Sequence, residues 1–179
     1  MKKIVKILLF VPLICIVFCI IYIIISPTVV LSPQRDSIIT VPLTKELRYK
    51  INCETRGMYR SDIMDYSVKL TAQYLRCSEH DNIEQGEATS AGYASLCSSI
   101  FNYACYINGE EARANPVIGR VKPSGYNLAF ITLKSDKWKP LVKNHEFVRI
   151  DGDFSAVWYV DPYAYDLIGS DCFTYDWWM

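Results

Sequence analysis

Histidine is scarce in this chain of 179 residues, which has two, His80 and His145. Neither has a Cys or His partner at metal-ligand spacing, which argues against a zinc site. A glycine-rich phosphate loop is missing as well. Gly86 and Gly92 fit the spacing of neither common nucleotide-binding motif, so no cofactor is expected. Excess positive charge is also lacking: 19 basic residues balance 19 acidic ones, and taking Lys2, Lys3 and Lys6 away leaves 16 against 19. A formal charge of about −3 on the remaining chain offers phosphates little, so nucleic acid is not an expected partner. No internal repeat is present.

Cysteine is present, but in a number that cannot all pair. Five lie beyond the N-terminal apolar run, namely Cys53, Cys77, Cys97, Cys105 and Cys172. Cys97 and Cys105 fall eight residues apart on one predicted helix. That is about 12 Å along its axis, too far for a disulfide. Cys53, Cys77 and Cys172 are the better candidates for a bridge in an oxidising compartment, the alternative being small buried thiols.

Charge is absent from Ile7 to Ser26, an almost uninterrupted stretch of Ile, Leu, Val, Phe and Cys that also holds Pro12, Tyr22 and the closing Ser26. At about 1.5 Å per residue, twenty such residues span the hydrocarbon layer of a bilayer. Lys2, Lys3 and Lys6 precede the run and favour a cytoplasmic N-terminus with the rest of the chain extracytoplasmic. A cleavable signal peptide shares these features. The run is long for a signal core, however, and no small-x-small cleavage site follows before Pro27. Residues 1–6 therefore read as a basic cytoplasmic tail and 7–26 as a single-pass transmembrane anchor. Residues 27–44, with Pro27, Pro33 and Pro42, read as a stalk, and 45–179 as one extracytoplasmic domain.

Within that domain, Ile63, Tyr66, Leu70 and Tyr74 recur at helical spacing between Ser61 and Arg76. The polar stretch 78–82 breaks the pattern. A second helix is predicted from Thr89 to Asn108, stopped by Gly109, with Tyr93, Leu96, Ile100, Ala104 and Ile107 on one face. Ala94, Cys97 and Phe101 add a second apolar stripe, so this helix is expected at the centre of the core. Strand character follows over 116–121, 126–133, 145–150 and 156–160, with turn signals at Pro123-Ser124-Gly125 and Asp151-Gly152-Asp153. Helices followed by strands predict an α+β domain whose antiparallel sheet packs on the central helix. The aromatic C-terminus, 173–179, is expected to dock on the core; an exposed tail is the alternative.

Three short motifs stand out. Ser90-Ala91-Gly92-Tyr93-Ala94 opens the central helix. His145-Glu146-Phe147-Val148-Arg149-Ile150 opens a strand, and Trp158-Tyr159-Val160-Asp161 closes the next one. In order and spacing these resemble the transglutaminase-like domains of the papain-like cysteine hydrolase superfamily over roughly residues 60–165. The resemblance implies a nucleophile at position 90, an imidazole base at His145 and an orienting carboxylate at Asp161. It departs at the nucleophile, where the family has cysteine and this chain has Ser90.

That departure bears on chemistry. A cysteine in such a site works as a thiolate held by the imidazole, at a helix start whose dipole favours the anion. A serine hydroxyl must instead lose its proton during attack. The expectation is a catalytically degenerate, membrane-anchored protein that binds a peptide or protein segment in its cleft. The alternative is an amide or ester hydrolase, or acyltransferase, using a Ser90-His145-Asp161 triad with backbone N–H groups for the oxyanion. Cys97, two turns into the apolar helix, reads as core rather than as nucleophile. Thr89 or Ser90 as a plain helix cap is the simplest reading of that segment.

Overall fold

The computed structural model describes residues 29–37, 41–123, 144–152, 157–168 and 174–175. Residues 7–26, the strand expected over 126–133 and most of the aromatic C-terminus lie outside them. Among the described residues no helix is long and apolar enough to cross a membrane.

The architecture is α+β. Strands β1 (Val29–Asp36), β4 (Arg113–Pro123), β5 (His145–Asp151), β6 (Val157–Val160) and β7 (Thr174–Tyr175) form one sheet in the order β1-β4-β5-β6-β7. Every pair in it is antiparallel. Two-residue strands β2 (Arg76–Cys77) and β3 (Glu87–Ala88) make a separate parallel pair. The helices are α1 (Lys45–Glu54), α2 (Arg60–Tyr74), α3 (Ser90–Asn108) and α4 (Pro162–Ile168), with a 3₁₀ turn over Ile83–Gln85.

The predicted central helix is α3, and it is apolar around most of its circumference. Tyr93, Ala94, Leu96, Cys97, Ile100, Phe101, Ala104 and Cys105 are all buried. It packs against α2 on one side and β4 and β5 on the other. Asn102 fixes its position by bonding both ways with Ala114, donating from Nδ2 to the carbonyl and accepting the N–H at Oδ1, each at 2.8 Å. Helix α2 starts at Arg60 with no side-chain cap. It buries two hydroxyls, Ser67 and Thr71, which donate to the carbonyls of Ile63 and Ser67, so neither is left unpaired.

Several elements differ from the expectation. Residues 29–36 are not a stalk but an edge strand, running antiparallel to β4 from Val29 opposite Pro123 to Asp36 opposite Val117. Pro33 is tolerated because the register shifts between Pro33 and Arg35, and because an edge strand needs donors on one side only. Helix α1, capped by Thr44, and helix α4 had no counterpart in the sequence pattern. The Cys53 and Cys77 thiols are free, so neither forms the expected bridge; Cys172 lies outside the described residues. At the C-terminus, Tyr175 and Thr174 pair with Trp158 and Tyr159, which ties that part of the segment to the sheet edge.

Candidate functional site

The start of α3 is built from the polar stretch before it. Thr89 is the N-cap, and its Oγ1 accepts from Ala91 N at 3.2 Å. Asp81 then holds Thr89, its Oδ1 accepting from the Thr89 main-chain N at 2.7 Å and from Oγ1 at 3.0 Å. A carboxylate here suits the positive end of the helix dipole. Gly92 makes the approach possible: a Cβ on it would stand 2.6 Å from Asp81 Oδ1 and 2.7 Å from Ala88 Cβ. The cap expected at Thr89 or Ser90 is thus Thr89, which leaves Ser90 free to face the sheet.

His145 is the first residue of β5, and Asn144 before it has a left-handed backbone, φ 51°, which asparagine tolerates better than most residues. Asp161 follows the last residue of β6 and precedes α4. Antiparallel pairing sets Val160 against Val148, which brings the two strand ends together. His145 Nε2 and Asp161 Oδ2 lie 2.6 Å apart with both side chains fully buried. Asp161 also caps α4, Oδ1 accepting from Ala164 N at 2.9 Å, with Pro162 at the first helical position. Both carboxylate oxygens are therefore committed.

An ionised carboxylate only accepts, so in the neutral ring Nε2 is the N–H and Nδ1 carries the lone pair. His145 Nδ1 is buried without a hydrogen-bond partner among the described residues. Ser90 Oγ accepts instead from the main-chain N of Glu146, the residue after His145, at 3.2 Å. The structure thus gathers Ser90, His145 and Asp161 at one end of the sheet. It joins the last two directly, and ties Ser90 to the neighbouring backbone rather than to the imidazole.

Beside Ser90 opens a cleft of about 390 Å³ lined by Cys77, Ser78, Glu79, Thr89, Ser90 and Tyr163. Tyr163, on α4, packs edge-on against both Tyr93 and His145, with ring centroids 5.3 and 5.7 Å away. Tyr93 OH donates to Asp166 Oδ2 at 2.5 Å, and Cys77 Sγ donates to the same oxygen at 3.3 Å. Partial burial of the sulfur pushes the Cys77 thiol up to about 11; the Tyr93 hydroxyl opposes the rise and the Asp166 carboxylate adds to it. Burial likewise pushes Tyr163 up to about 12. Cys77 is the cleft residue that sequence reasoning placed elsewhere. No periodicity marks it, since it reaches the site through the parallel pairing of Cys77 with Ala88.

Cys97 is fully enclosed in the core, and burial raises its thiol to about 12. A thiol held protonated and shielded is no nucleophile. Among the described residues no group of three or more His, Cys, Asp or Glu is arranged to hold a metal ion. A second cavity, of about 400 Å³, lies at the far end of α3 between Tyr59, Arg60, Glu110 and Trp158. Family models, curated proteins and solved structures were all compared with this chain, and none matches.

Proposed function

We propose that this is a membrane-anchored protein with a transglutaminase-like site in which Ser90 stands at the nucleophile position. Its cleft binds a peptide or protein segment, and catalysis is absent or residual. The element order supports the likeness: a core helix whose first residue is Ser90, a strand opening on His145, and its antiparallel neighbour closing just before Asp161. The anchor is residues 7–26, on the strength of their hydropathy and length.

One observation carries the binding reading over the catalytic one. The dyad is oriented, with His145 Nε2 on Asp161, but His145 Nδ1 has no hydrogen-bond partner among the described residues and Ser90 Oγ engages the Glu146 N–H. A serine nucleophile needs the imidazole within hydrogen-bond reach of its own proton. Serine is also the weaker nucleophile at neutral pH.

The test restores the sulfur. The full chain with Ser90→Cys is titrated with iodoacetamide across pH beside Ser90→Cys/His145→Ala, and modification at position 90 is read by peptide mass. The expected result is a thiol reactive well below the ordinary midpoint of about 8.5, with the advantage lost when His145 is removed. An ordinary thiol in both chains would refute the site. Stoichiometric labelling of the unaltered chain at Ser90 by a fluorophosphonate would overturn the binding reading in favour of a Ser90-His145-Asp161 hydrolase or acyltransferase.

A further inference from the structure

The chain enters the domain through β1, and the position of β1 orients the site. Val29 pairs with Pro123, so the first residue of β1 lies at the C-terminal end of β4. Only residues 27 and 28 separate it from the apolar run that ends at Ser26. His145 pairs with Gly119, four residues back along the same strand from Pro123. At about 3.4 Å per residue this is about 14 Å along the sheet, with two strand spacings, about 10 Å, across it. Three residue steps from Ser26 to Val29 add at most about 11 Å. The imidazole therefore lies within about 28 Å of the end of the apolar run.

Every part of the site shares that end of the fold. Asp161 follows Val160, which pairs with Val148, three residues into β5 from His145. Ser90 is the first residue of α3 and touches Glu146. The C-terminal part of α3 lies at the opposite pole, where Asn102 holds Ala114 and Arg113 pairs with Asp151. Arg113 is six residues from Gly119, so that pole is about 20 Å farther from the chain's entry than the site is.

We infer that the cleft beside Ser90 opens toward the bilayer and takes a polypeptide segment that is itself held at the membrane surface. This rests on reading residues 7–26 as the anchor and Ser90, His145 and Asp161 as a ligand site. An anionic phosphate is disfavoured by the described lining, where Glu79 and the neighbouring Asp166 would repel it, whereas a polypeptide can present backbone N–H donors and cationic side chains to those carboxylates. Holding both partners at one surface also raises their effective concentration, by about 10²–10⁴ over a soluble encounter.

The orientation is measured without any need for ligand or catalysis. The full chain is reconstituted in phosphatidylcholine vesicles with Cys15, Cys19, Cys53, Cys77 and Cys172 replaced by serine. A single fluorophore is placed through Glu79→Cys, at the cleft, or through Tyr106→Cys, which is 74% exposed near the far end of α3. Energy transfer to headgroup-attached acceptors is expected to put position 79 about 20 Å nearer the bilayer than position 106, the sheet's own dimension. A haloacetamide carried on a lipid headgroup, standing in for a membrane-held ligand, is expected to modify Glu79→Cys and to leave Tyr106→Cys unmodified. Equal depths, a reversed order, or a chain that fails to sediment with the vesicles would each overturn the inference. The thiol titration at position 90 is independent of all three, so a failed orientation and a failed site are told apart.

Discussion

Gly92 governs how closely Asp81 can approach the start of α3. Replacing a helical glycine by alanine ordinarily gains about 1 kcal/mol of propensity. Here the new methyl would stand 2.7 Å from Ala88 Cβ, which is fixed to a paired strand, and 2.6 Å from Asp81 Oδ1. Overpacking of that kind costs about 1–3 kcal/mol, and displacing Asp81 also weakens the Thr89 cap. Gly92→Ala is therefore expected to lower Tm, and Asp81→Ala to cost less in its presence than alone. Four-way thermal denaturation checks both statements. Cys77 gives a second residue-scale outcome: a thiol pushed up from 9.0 to about 11 holds about 100-fold less thiolate near pH 8 than an ordinary one. Its alkylation should be slow there and accelerate only as pH climbs toward 11, as timed mass spectrometry would show. At this scale the placement of His145 at the start of β5 and of Asp161 just past β6 was legible because each flanks a recognisable strand run. The engagement of Ser90 with Glu146 and the meeting of Cys77, Tyr93 and Asp166 were not, because they depend on packing between elements far apart in sequence.

Among elements, those with long periodic runs or a terminal signal could be read. Helix α3 could, with twelve or more apolar positions, Thr89 before it and Gly109 in the left-handed region (φ 73°) after it. Helix α1 was missed because it buries only Leu47 and Ile51, too few to make a pattern. Strand β1 was missed because its proline suggested a connector, although an edge strand accommodates one. Helix α4 was missed because Asp161-Pro162 reads equally as a turn or as a helix start, and seven residues are too short to decide. That helix ties stability to the site. Asp161 both caps α4 and holds His145, so Asp161→Ala loses a cap worth about 1 kcal/mol and leaves a buried imidazole N–H unsatisfied at about 1–3 kcal/mol. A total loss of about 2–4 kcal/mol is expected from those two contributions. Asp161→Asn keeps an oxygen for Ala164 N and should cost less. Urea midpoints at constant m separate the two; equal losses would mean that the α4 cap contributes nothing.

For the molecule as a whole, the sheet's edges decide how the domain relates to whatever precedes it. Without β1, the eleven-residue β4 would present its unpaired side along its length and become a template for association. Ser37, just past the strand, also donates its N–H to the Pro116 carbonyl at 2.9 Å and extends the contact with β4. It therefore belongs to the domain and not to a connector, and the two possibilities differ in a simple truncation. A chain beginning at residue 29 is expected to unfold cooperatively and to stay monomeric as concentration rises. One beginning at residue 38 lacks β1, and should show a lower urea midpoint and concentration-dependent association by sedimentation. Indistinguishable midpoints and masses would return residues 29–36 to the role of a stalk, and with it would go the short link that places the Ser90 cleft near the end of the apolar run.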